Sequence, residues 1–428
     1  MGACCSCQLG GGKFEGFYVE EEDEQREVED EDIVMRGDNG AHIRLQGSSN
    51  YVSMFTKQGK KGVNQDAMTV WESFSGDKDM FYCGVFDGHG PSGHKVSHYV
   101  RDLLPAKIST LYKKSSTDGK DCALDIDYIN TEDGNENPEL KNPFFLSWKA
   151  RLTKCFHEMD EELEGDGSIE SYCSGTTSVS VLKKGEHLII TNLGDSRAVL
   201  CTRDESNQLI PEQLTVDLKP NLPSEEQRIT SCQGRVLAME EEPNVYRIWM
   251  PDQDCPGLAM ARAFGDFCLK DFGLISTPEV TYRKLTEKDE FVVLASDGIW
   301  DVLSNNDVVK IVASARKRST AAKLLIQKAV RAWRYKYPFA KIDDCAVICL
   351  FFKNQKPLLT KSLSEVSQLS LNYEELGANG YAAKSDDGLD TVLNLNCNVN
   401  ESSEGGENGG DQRPRKRRPG RKFVYGAE

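Results

Sequence analysis

The chain has 428 residues, and its 68 acidic and 52 basic side chains give a net charge of −16 and an isoelectric point near 5.0. This balance argues against a protein that coats nucleic acid. Hydrophobic residues make up 39% of the chain, which is enough for one large core. No apolar run approaches the roughly 18 residues that cross a bilayer, so a membrane-spanning protein is not expected.

The 14 cysteines indicate a reducing compartment. They are scattered from Cys4 to Cys397 without the paired spacing of a metal site, apart from a cluster at the N-terminus, and no secretory leader is visible. We therefore expect an intracellular chain whose interior cysteines are small buried hydrophobic residues.

Composition divides the chain into three parts. Residues 1–45 are rich in glycine and then in carboxylates, which predicts a disordered, solvated arm. Residues 46–355 alternate apolar clusters with turn signals, as a folded domain does. Residues 356–428 are rich in Ser, Asn and Gly and close with the basic cluster Arg413-Pro-Arg-Lys-Arg-Arg418, which predicts a disordered tail.

Hydrophobic periodicity predicts a mixed α+β domain in the central part. In chain order the predicted elements are a strand at 81–86, helices at 95–104 and 144–163, strands at 177–182, 188–192, 198–202 and 291–295, helices at 307–313 and 320–334, and a strand at 346–352. The polar segment 115–142, between two predicted helices, is interpreted as a surface insertion.

Two short motifs are rejected on chemical grounds. Residues 88–93 satisfy the pattern G-x-G-x-x-G, but Asp87 places a carboxylate before the loop and Pro91 removes a backbone donor that a pyrophosphate needs. The tripeptide Asp271-Phe272-Gly273 resembles part of a protein-kinase activation segment, but no H-R-D catalytic loop precedes it.

Aspartates that follow strands or stand beside glycine recur through the central domain. They occur at Asp87, Asp195, Asp297 and the pair Asp343-Asp344. One such aspartate is usually a turn or helix cap, but carboxylates that converge from separate strand ends repel one another unless a divalent cation lies between them. Glycine beside a carboxylate lets a backbone carbonyl join the coordination. These residues predict a two-metal centre that hydrolyses a phosphoester.

Seven separate blocks occur in an order that resembles the metal-dependent protein phosphatase 2C family, most closely its plant members with acylated-looking N-termini. The blocks are Lys61-Gly-Val-Asn-Gln-Asp66, Val85-Phe-Asp-Gly-His-Gly90, Ser174-Gly-Thr-Thr177, Gly194-Asp-Ser-Arg-Ala198, Leu258-Ala-Met-Ala-Arg-Ala-Phe-Gly-Asp266, Ala295-Ser-Asp-Gly-Ile-Trp-Asp301 and Asp343-Asp-Cys-Ala-Val347. Chance can produce one such block but not the ordered set.

The resemblance implies an α+β fold in which two antiparallel β-sheets pack as a sandwich flanked by α-helices, with two Mg²⁺ or Mn²⁺ ions at one end. It implies that Asp87 bridges the ions and that Gly88 offers its backbone carbonyl. It further implies that Asp297 and Asp343 hold one ion and that Asp66 orients metal-bound water.

The resemblance also assigns a reaction. Asp195 and Asp301 match carboxylates of a weaker third metal site, and His89 matches the general acid that protonates the leaving serine or threonine oxygen. The implied reaction is attack of a metal-bridging hydroxide on phosphorus, with no covalent enzyme intermediate. Lys61, or its neighbour Lys60, stands where the family often has an arginine that binds the phosphate.

Two departures from the family pattern leave an alternative open. Lys61 carries a single ammonium charge, whereas an arginine would bind the phosphate through two N–H donors. Gln65 stands where a glutamate often precedes the aspartate of the first block. We interpret the chain as a Mg²⁺- or Mn²⁺-dependent protein serine/threonine phosphatase. The alternatives are a catalytically weak scaffold that binds phosphoproteins and a phosphatase for a small phosphoester. We expect phosphoprotein substrates, no sequence-specific nucleic-acid partner and a monomer.

The N-terminus predicts attachment to a membrane. Met1-Gly-Ala-Cys-Cys-Ser-Cys7 fits the N-myristoylation acceptor, with Gly2 exposed after removal of the methionine. One acyl chain binds membranes only marginally, so Cys4, Cys5 or Cys7 would carry a palmitate as the second signal. The C-terminal basic cluster is compatible with a nuclear signal, a phospholipid-binding patch or a solubilising tail. We expect a protein at the plasma membrane, in the nucleus, or in both.

Overall fold

The computed structural model describes residues 51–117, 143–240 and 242–353, and the backbone of short strands at 34–36, 42–44 and 46–48. The chain divides into units of residues 1–366 and 367–428, and all described residues belong to the first. The predicted acylation site, residues 118–142 of the predicted insertion and the basic tail lie outside the described residues. None of the described helices is long and apolar enough to cross a membrane.

Strands and helices make up similar shares of the described part of the chain. The described strands are β1 (Val34–Arg36), β2 (His42–Arg44), β3 (Gln46–Ser48), β4 (Val52–Lys57), β5 (Asp66–Glu72), β6 (Met80–His89), β7 (Gly175–Thr176), β8 (Ser178–Lys184), β9 (His187–Leu193), β10 (Arg197–Arg203), β11 (Leu209–Gln213), β12 (Arg235–Met239), β13 (Glu242–Trp249), β14 (Pro256–Leu258), β15 (Phe264–Gly265), β16 (Glu279–Lys284), β17 (Phe291–Ala295) and β18 (Cys345–Phe351). The described α-helices are α1 (Gly93–Thr117), α2 (Pro143–Gly165), α3 (Pro223–Ser231), α4 (Phe267–Lys270), α5 (Asp297–Trp300), α6 (Asn305–Ser314) and α7 (Ala321–Lys336).

Two large antiparallel sheets form a sandwich. The first has the strand order β11-β10-β17-β18-β4-β3, and the second has the order β15-β7-β6-β8-β9-β16 with β5 also paired to β6. A small sheet, β12-β13-β14, and the pair β1-β2 complete the described strands. The predicted fold class, α+β with two antiparallel sheets flanked by helices, is confirmed.

Alternation along the strands builds three apolar layers. Val347 and Ile348 of β18 are both fully buried but belong to different clusters, because neighbouring strand residues point to opposite faces. Ile348 packs between the sheets with Val85 of β6, whereas Val347 packs beneath α6 and α7. On the other outer face, α1 and α2 cover the seven-stranded sheet with side chains such as Phe156. Burial of each such side chain stabilises the fold by about 1.5–3 kcal/mol.

Every predicted strand and helix overlaps an observed one, and the largest difference lies in α1. The periodicity predicts an end at residue 104, before Pro105, but α1 continues through the proline to Thr117. Proline removes one helical hydrogen bond. Leu104 and Ile108, on either side of it, are buried in the cluster shared with α2, so packing offsets that loss. Among the observed elements that were not predicted from the sequence are β4, β5, β11, β16, α3 and the small sheet.

Candidate active site

Two neighbouring strands bring a pair of carboxylates face to face. Asp66, at the start of β5, lies directly opposite Asp87, near the end of β6. Met68 and Val85 on these strands are buried between the sheets and thereby help to set the register. Like charges directly opposite each other destabilise a sheet. The fold therefore holds two carboxylates together at a cost that a cation can offset.

A tight glycine loop follows Asp87. A Cβ at Gly88 would lie 2.4 Å from the carbonyl oxygen of Gly93, and Gly90 has a φ of +85°, which favours glycine. The backbone carbonyl of Gln65 accepts a hydrogen bond from the Gly88 N–H at 3.1 Å. The side-chain Nε2 of Gln65 donates to the Gly90 carbonyl, also at 3.1 Å. Gln65 thus braces the loop that carries the predicted ligands.

Two further carboxylates come from the six-stranded sheet. Asp297 begins α5 directly after β17, and Asp343 lies just before β18, which pairs with β17. Ser296 joins the two sheets: its hydroxyl donates to Oδ2 of Asp66 at 2.6 Å and accepts from the Ala346 N–H at 3.0 Å. The carboxylates of both sheets therefore meet at one edge of the sandwich.

Burial and mutual repulsion raise the pKa of these carboxyl groups. Burial is the largest cause for Asp66, whose pKa rises to about 8 despite the hydrogen bond from Ser296. For Asp87, burial and then the charge of Asp297 raise the pKa well above its ordinary value. For Asp297, burial and then the charge of Asp343 have the same effect on its pKa. Without a counter-charge these groups resist ionisation.

Two lysines lie among the carboxylates. Lys61 pairs with Asp343, and Lys219 pairs with Asp195, which is 2% exposed. Burial alone would lower the pKa of each lysine, but the neighbouring carboxylates outweigh it and raise the pKa of both. The Lys61 side chain remains 32% exposed, so it can reach an anion that approaches the carboxylate cluster.

The donor set fits hard divalent cations. Asp66 and Asp195 each keep one buried carboxylate oxygen without a hydrogen-bond partner among the described residues. The charge of Asp301 adds to that of the other carboxylates around Asp297. Within residues 51–117, 143–240 and 242–353, no three His, Cys, Asp or Glu side chains are placed as a closed set around one cation position. The clustered oxygen donors are nevertheless the kind that Mg²⁺ and Mn²⁺ prefer.

Asp344, the neighbour of Asp343, binds the backbone of the loop before β5. Its Oδ1 accepts a hydrogen bond from the Gly59 N–H at 2.7 Å, and its Oδ2 accepts from the Gln65 N–H at 2.9 Å. Both oxygens are therefore engaged, and Asp344 anchors the segment that carries Lys61.

His89, at the end of β6, contacts an aspartate from a distant segment. Its Nε2 lies 2.5 Å from Oδ2 of Asp266, and both residues are buried. Burial alone would lower the pKa of His89, but the charge and hydrogen bond of Asp266 outweigh it and raise the pKa. Its Nδ1 has no hydrogen-bond partner in the described part of the chain. The imidazole is therefore favoured in the protonated form that a proton donor needs.

Two residues of the site, Asp266 and Lys219, are not among those predicted from the sequence. Asp266 has a φ of +50°, and its N–H donates to the Ser174 carbonyl at 3.0 Å. It follows a glycine at a strand end, the pattern that selected Asp195, so that pattern could have found it. For Lys219 we find no sequence signal, because its contact with Asp195 depends on the fold.

Comparison with known proteins identifies the family of this chain. The profile of the family described as "Protein phosphatase 2C" matches residues 51–334. The "Probable protein phosphatase 2C 65" of Arabidopsis thaliana is 52% identical over 359 residues, covering 83% of this chain and 89% of that protein. The "Probable protein phosphatase 2C 73" of Oryza sativa subsp. japonica is also 52% identical over 359 residues, covering 82% of this chain and 80% of that protein.

Solved structures share the fold. The serine-threonine phosphatase 2C from Toxoplasma gondii matches with a TM-score of 0.61 and 24% identity, covering 72% of this chain and 98% of that one. A C. elegans sex determining protein matches with a TM-score of 0.53 and 20% identity, covering 72% of this chain and 66% of that one. By its sequence and its fold, this chain belongs to the protein phosphatase 2C family.

Proposed function

We propose that this chain is a Mg²⁺- or Mn²⁺-dependent enzyme that hydrolyses phosphoserine and phosphothreonine in proteins. The observation that carries the proposal is the convergence of Asp66, Asp87, Asp297 and Asp343 at one edge of the sandwich, where burial raises the pKa of each. Such a cluster is costly without bound cations, so a binding role explains why the fold maintains it.

The carboxylates would bind different ions and water. Asp87, the Gly88 carbonyl, Asp297 and Asp343 would hold two divalent ions, and Asp195 with Asp301 would hold a third more weakly. When bound, the ions supply Lewis acidity and lower the pKa of water. Asp66, oriented by the Ser296 hydroxyl, would accept a hydrogen bond from a water molecule in the site.

Two cationic groups would handle the substrate. Lys61 is partly exposed beside Asp343 and would attract the phosphate as a point charge. The proton for the leaving serine or threonine oxygen would come from His89, while Asp266 keeps that ring oriented and protonated.

The first prediction concerns catalysis itself. The purified full chain should release phosphate from a phosphothreonine peptide with Mn²⁺ and lose that activity in chelator. Asp297→Asn should reduce kcat by at least about a hundredfold, because removing one ligand weakens the whole ion site. The matched control is Asp252→Asn, at an exposed position outside the site, which should retain activity. Phosphate release is measured over a range of Mn²⁺ concentrations.

Two results would contradict the proposal. Activity that survives both chelation and Asp297→Asn would exclude the metal-dependent mechanism. Binding of the phosphopeptide without turnover under any condition would favour the scaffold instead.

A further inference from the structure

The segment that leads to Asp343 carries an unusual charge. Residues 308–342 contain ten Lys or Arg residues and no Asp or Glu, although the whole chain has a net charge of −16. The segment comprises most of α6, all of α7 and the loop that follows it. A concentration of one sign of charge in an oppositely charged protein marks a surface for an anionic partner.

Three basic residues of α7 lie on the face of the helix that is exposed to solvent. Leu325, Ala329 and Trp333 are buried against the six-stranded sheet. Lys323, Arg331 and Arg334, which recur at the spacing of a single helical stripe, are exposed on the opposite side. The helix spans about 24 Å at 1.5 Å per residue.

We call the exposed cations of residues 308–342 the α7 basic surface. It consists of Lys310, Arg316, Lys317, Lys323, Arg331, Arg334, Lys336 and Lys341. No salt bridge in the described part of the chain joins any of them to a carboxylate. Burial lowers the pKa of the nearby Lys328, and the charge of Arg331 lowers it further.

Two aromatic side chains project beside these cations. Phe339 is 100% exposed and Tyr335 is 57% exposed, and each lies within three residues of a cation of the α7 basic surface. Apolar rings at a water-facing position gain free energy when they enter the headgroup region of a bilayer, and adjacent lysines and arginines gain from anionic lipids there.

We infer that the α7 basic surface, with Phe339 and Tyr335, binds the face of a bilayer that contains anionic phospholipids. Charge complementarity identifies the partner, and the exposed rings favour a bilayer over a duplex nucleic acid, whose charged backbone offers them no apolar layer. Apart from this surface and the C-terminal basic cluster at residues 413–418, the chain is acidic. Within the described residues, this face is therefore the one that would approach the lipid within the screening length of about 10 Å.

Binding in this way would place the site near the membrane. The surface ends at Lys341, two residues before Asp343, and the Trp333 indole N–H donates to the Gly298 carbonyl beside Asp297 at 2.6 Å. The catalytic edge of the sandwich would then face substrates at the bilayer. A second membrane contact would also add to the marginal affinity of the predicted acyl chain on Gly2.

The test uses the full chain with an unmodified Gly2 and two vesicle compositions. We expect cosedimentation with phosphatidylcholine vesicles that contain about 30% phosphatidylserine, none with pure phosphatidylcholine, and release when salt rises to about 0.5 M. The triple variant Lys323→Glu, Arg331→Glu, Arg334→Glu should lower the partition coefficient by about a hundredfold, because each basic residue near an anionic surface contributes about fivefold. Phe339→Ser should lower it less.

The matched control carries the same change in charge on the opposite side of the sandwich. The variant Lys149→Glu, Lys154→Glu, Lys284→Glu alters three exposed lysines of α2 and β16 and should bind vesicles nearly as well as the unaltered chain. Hydrogen exchange supplies a second readout that does not depend on variants: amides of residues 335–341 should be protected when the mixed vesicles are added.

Several outcomes would overturn the inference. One is an equal loss of vesicle binding in the two triple variants. Another is vesicle binding without protection of the amides of residues 335–341 from hydrogen exchange. A third is tighter binding of the protein to single-stranded RNA or to an acidic peptide than to the vesicles. Phosphatase activity of each variant, measured without vesicles, checks that it is folded.

Discussion

At the scale of single residues, the contact between His89 and Asp266 sets the chemistry that the imidazole can perform. A buried histidine ordinarily loses its proton, because burial disfavours the charged form. Here the carboxylate of Asp266 reverses that effect and raises the pKa of His89. Asp266 would act on the reaction only through His89, so it is a positioning residue, and its effect should depend on how much the leaving group needs a proton.

The second prediction uses that dependence. His89→Gln should lower kcat on a phosphothreonine peptide by about 10²–10⁴-fold, because an alkoxide cannot leave without a proton. Its effect on p-nitrophenyl phosphate should be much smaller, since that phenolate leaves unaided. Asp266→Asn should show the same selectivity with a smaller loss. The measurement compares kcat for the two substrates.

Asp271→Asn, at an exposed position five residues further on, is the control and should leave both activities unchanged. If Asp266→Asn instead lowered kcat on both substrates equally, its role would be general support of the fold.

At the scale of elements, two very short strands position that pair. In β7 and β15, Gly175 lies opposite Gly265, next to Asp266. A Cβ at Gly175 would lie 2.1 Å from Oδ2 of Asp266 and 2.7 Å from Nε2 of His89. The absence of a side chain on β7 therefore leaves the space in which the imidazole meets the carboxylate.

The third prediction follows from that space. Gly175→Ala should force His89 and Asp266 apart, lower kcat on the phosphopeptide and cost about 1–3 kcal/mol of stability through overpacking. Gly167→Ala is the matched control, because a Cβ at that position meets nothing within 4 Å. Steady-state kinetics and thermal unfolding measure the two effects. Gly175→Ala with unaltered kinetics would show that the contact tolerates displacement.

At the scale of the whole molecule, the sandwich brings repelling charges together. Apolar burial between and outside the sheets stabilises the fold, whereas Asp66, Asp87 and Asp297 oppose it, as their raised pKa values indicate. The carboxylates of the site therefore lower the stability that the apolar core supplies. Bound cations should offset part of that loss.

The fourth prediction tests this balance by thermal unfolding. In chelator, Asp297→Asn should be more stable than the unaltered chain by at least about 1.4 kcal/mol, the equivalent of one pKa unit of repulsion. Mn²⁺ should raise the melting temperature of the unaltered chain clearly and that of the variant much less. If Asp297→Asn melted at a lower temperature in chelator, the repulsion among the carboxylates would not destabilise the fold in the way that we infer.

The fifth prediction, binding of the α7 basic surface to anionic bilayers, belongs to the same scale, because it depends on charge gathered from α6, α7 and the loop before Asp343.

Local patterns predicted much of this structure, and the exceptions have physical reasons. The strand at 291–295 was predicted with the bounds that the structure shows, because a run of five residues that is rich in β-branched and aromatic side chains and has polar residues on both sides favours a strand. The predicted end of α1 was wrong. Pro105 weakens the helix locally, but α1 continues because it is buried against α2, whose residues lie far along the chain. The strand β5 was not predicted, although Ala67, Met68 and Val70 within it are buried apolar residues.

The sequence by itself determined the fold class, the family and the carboxylates with glycine neighbours, because these follow from periodicity and from motifs of a few adjacent residues. Only the tertiary structure decided which groups touch. His89 and Asp266 are separated by 177 residues, and Ser296 and Asp66 by 230. Their contacts, the raised pKa values and the single basic face of α7 arise only when distant strands and helices pack, because burial and charge act through space and not along the chain.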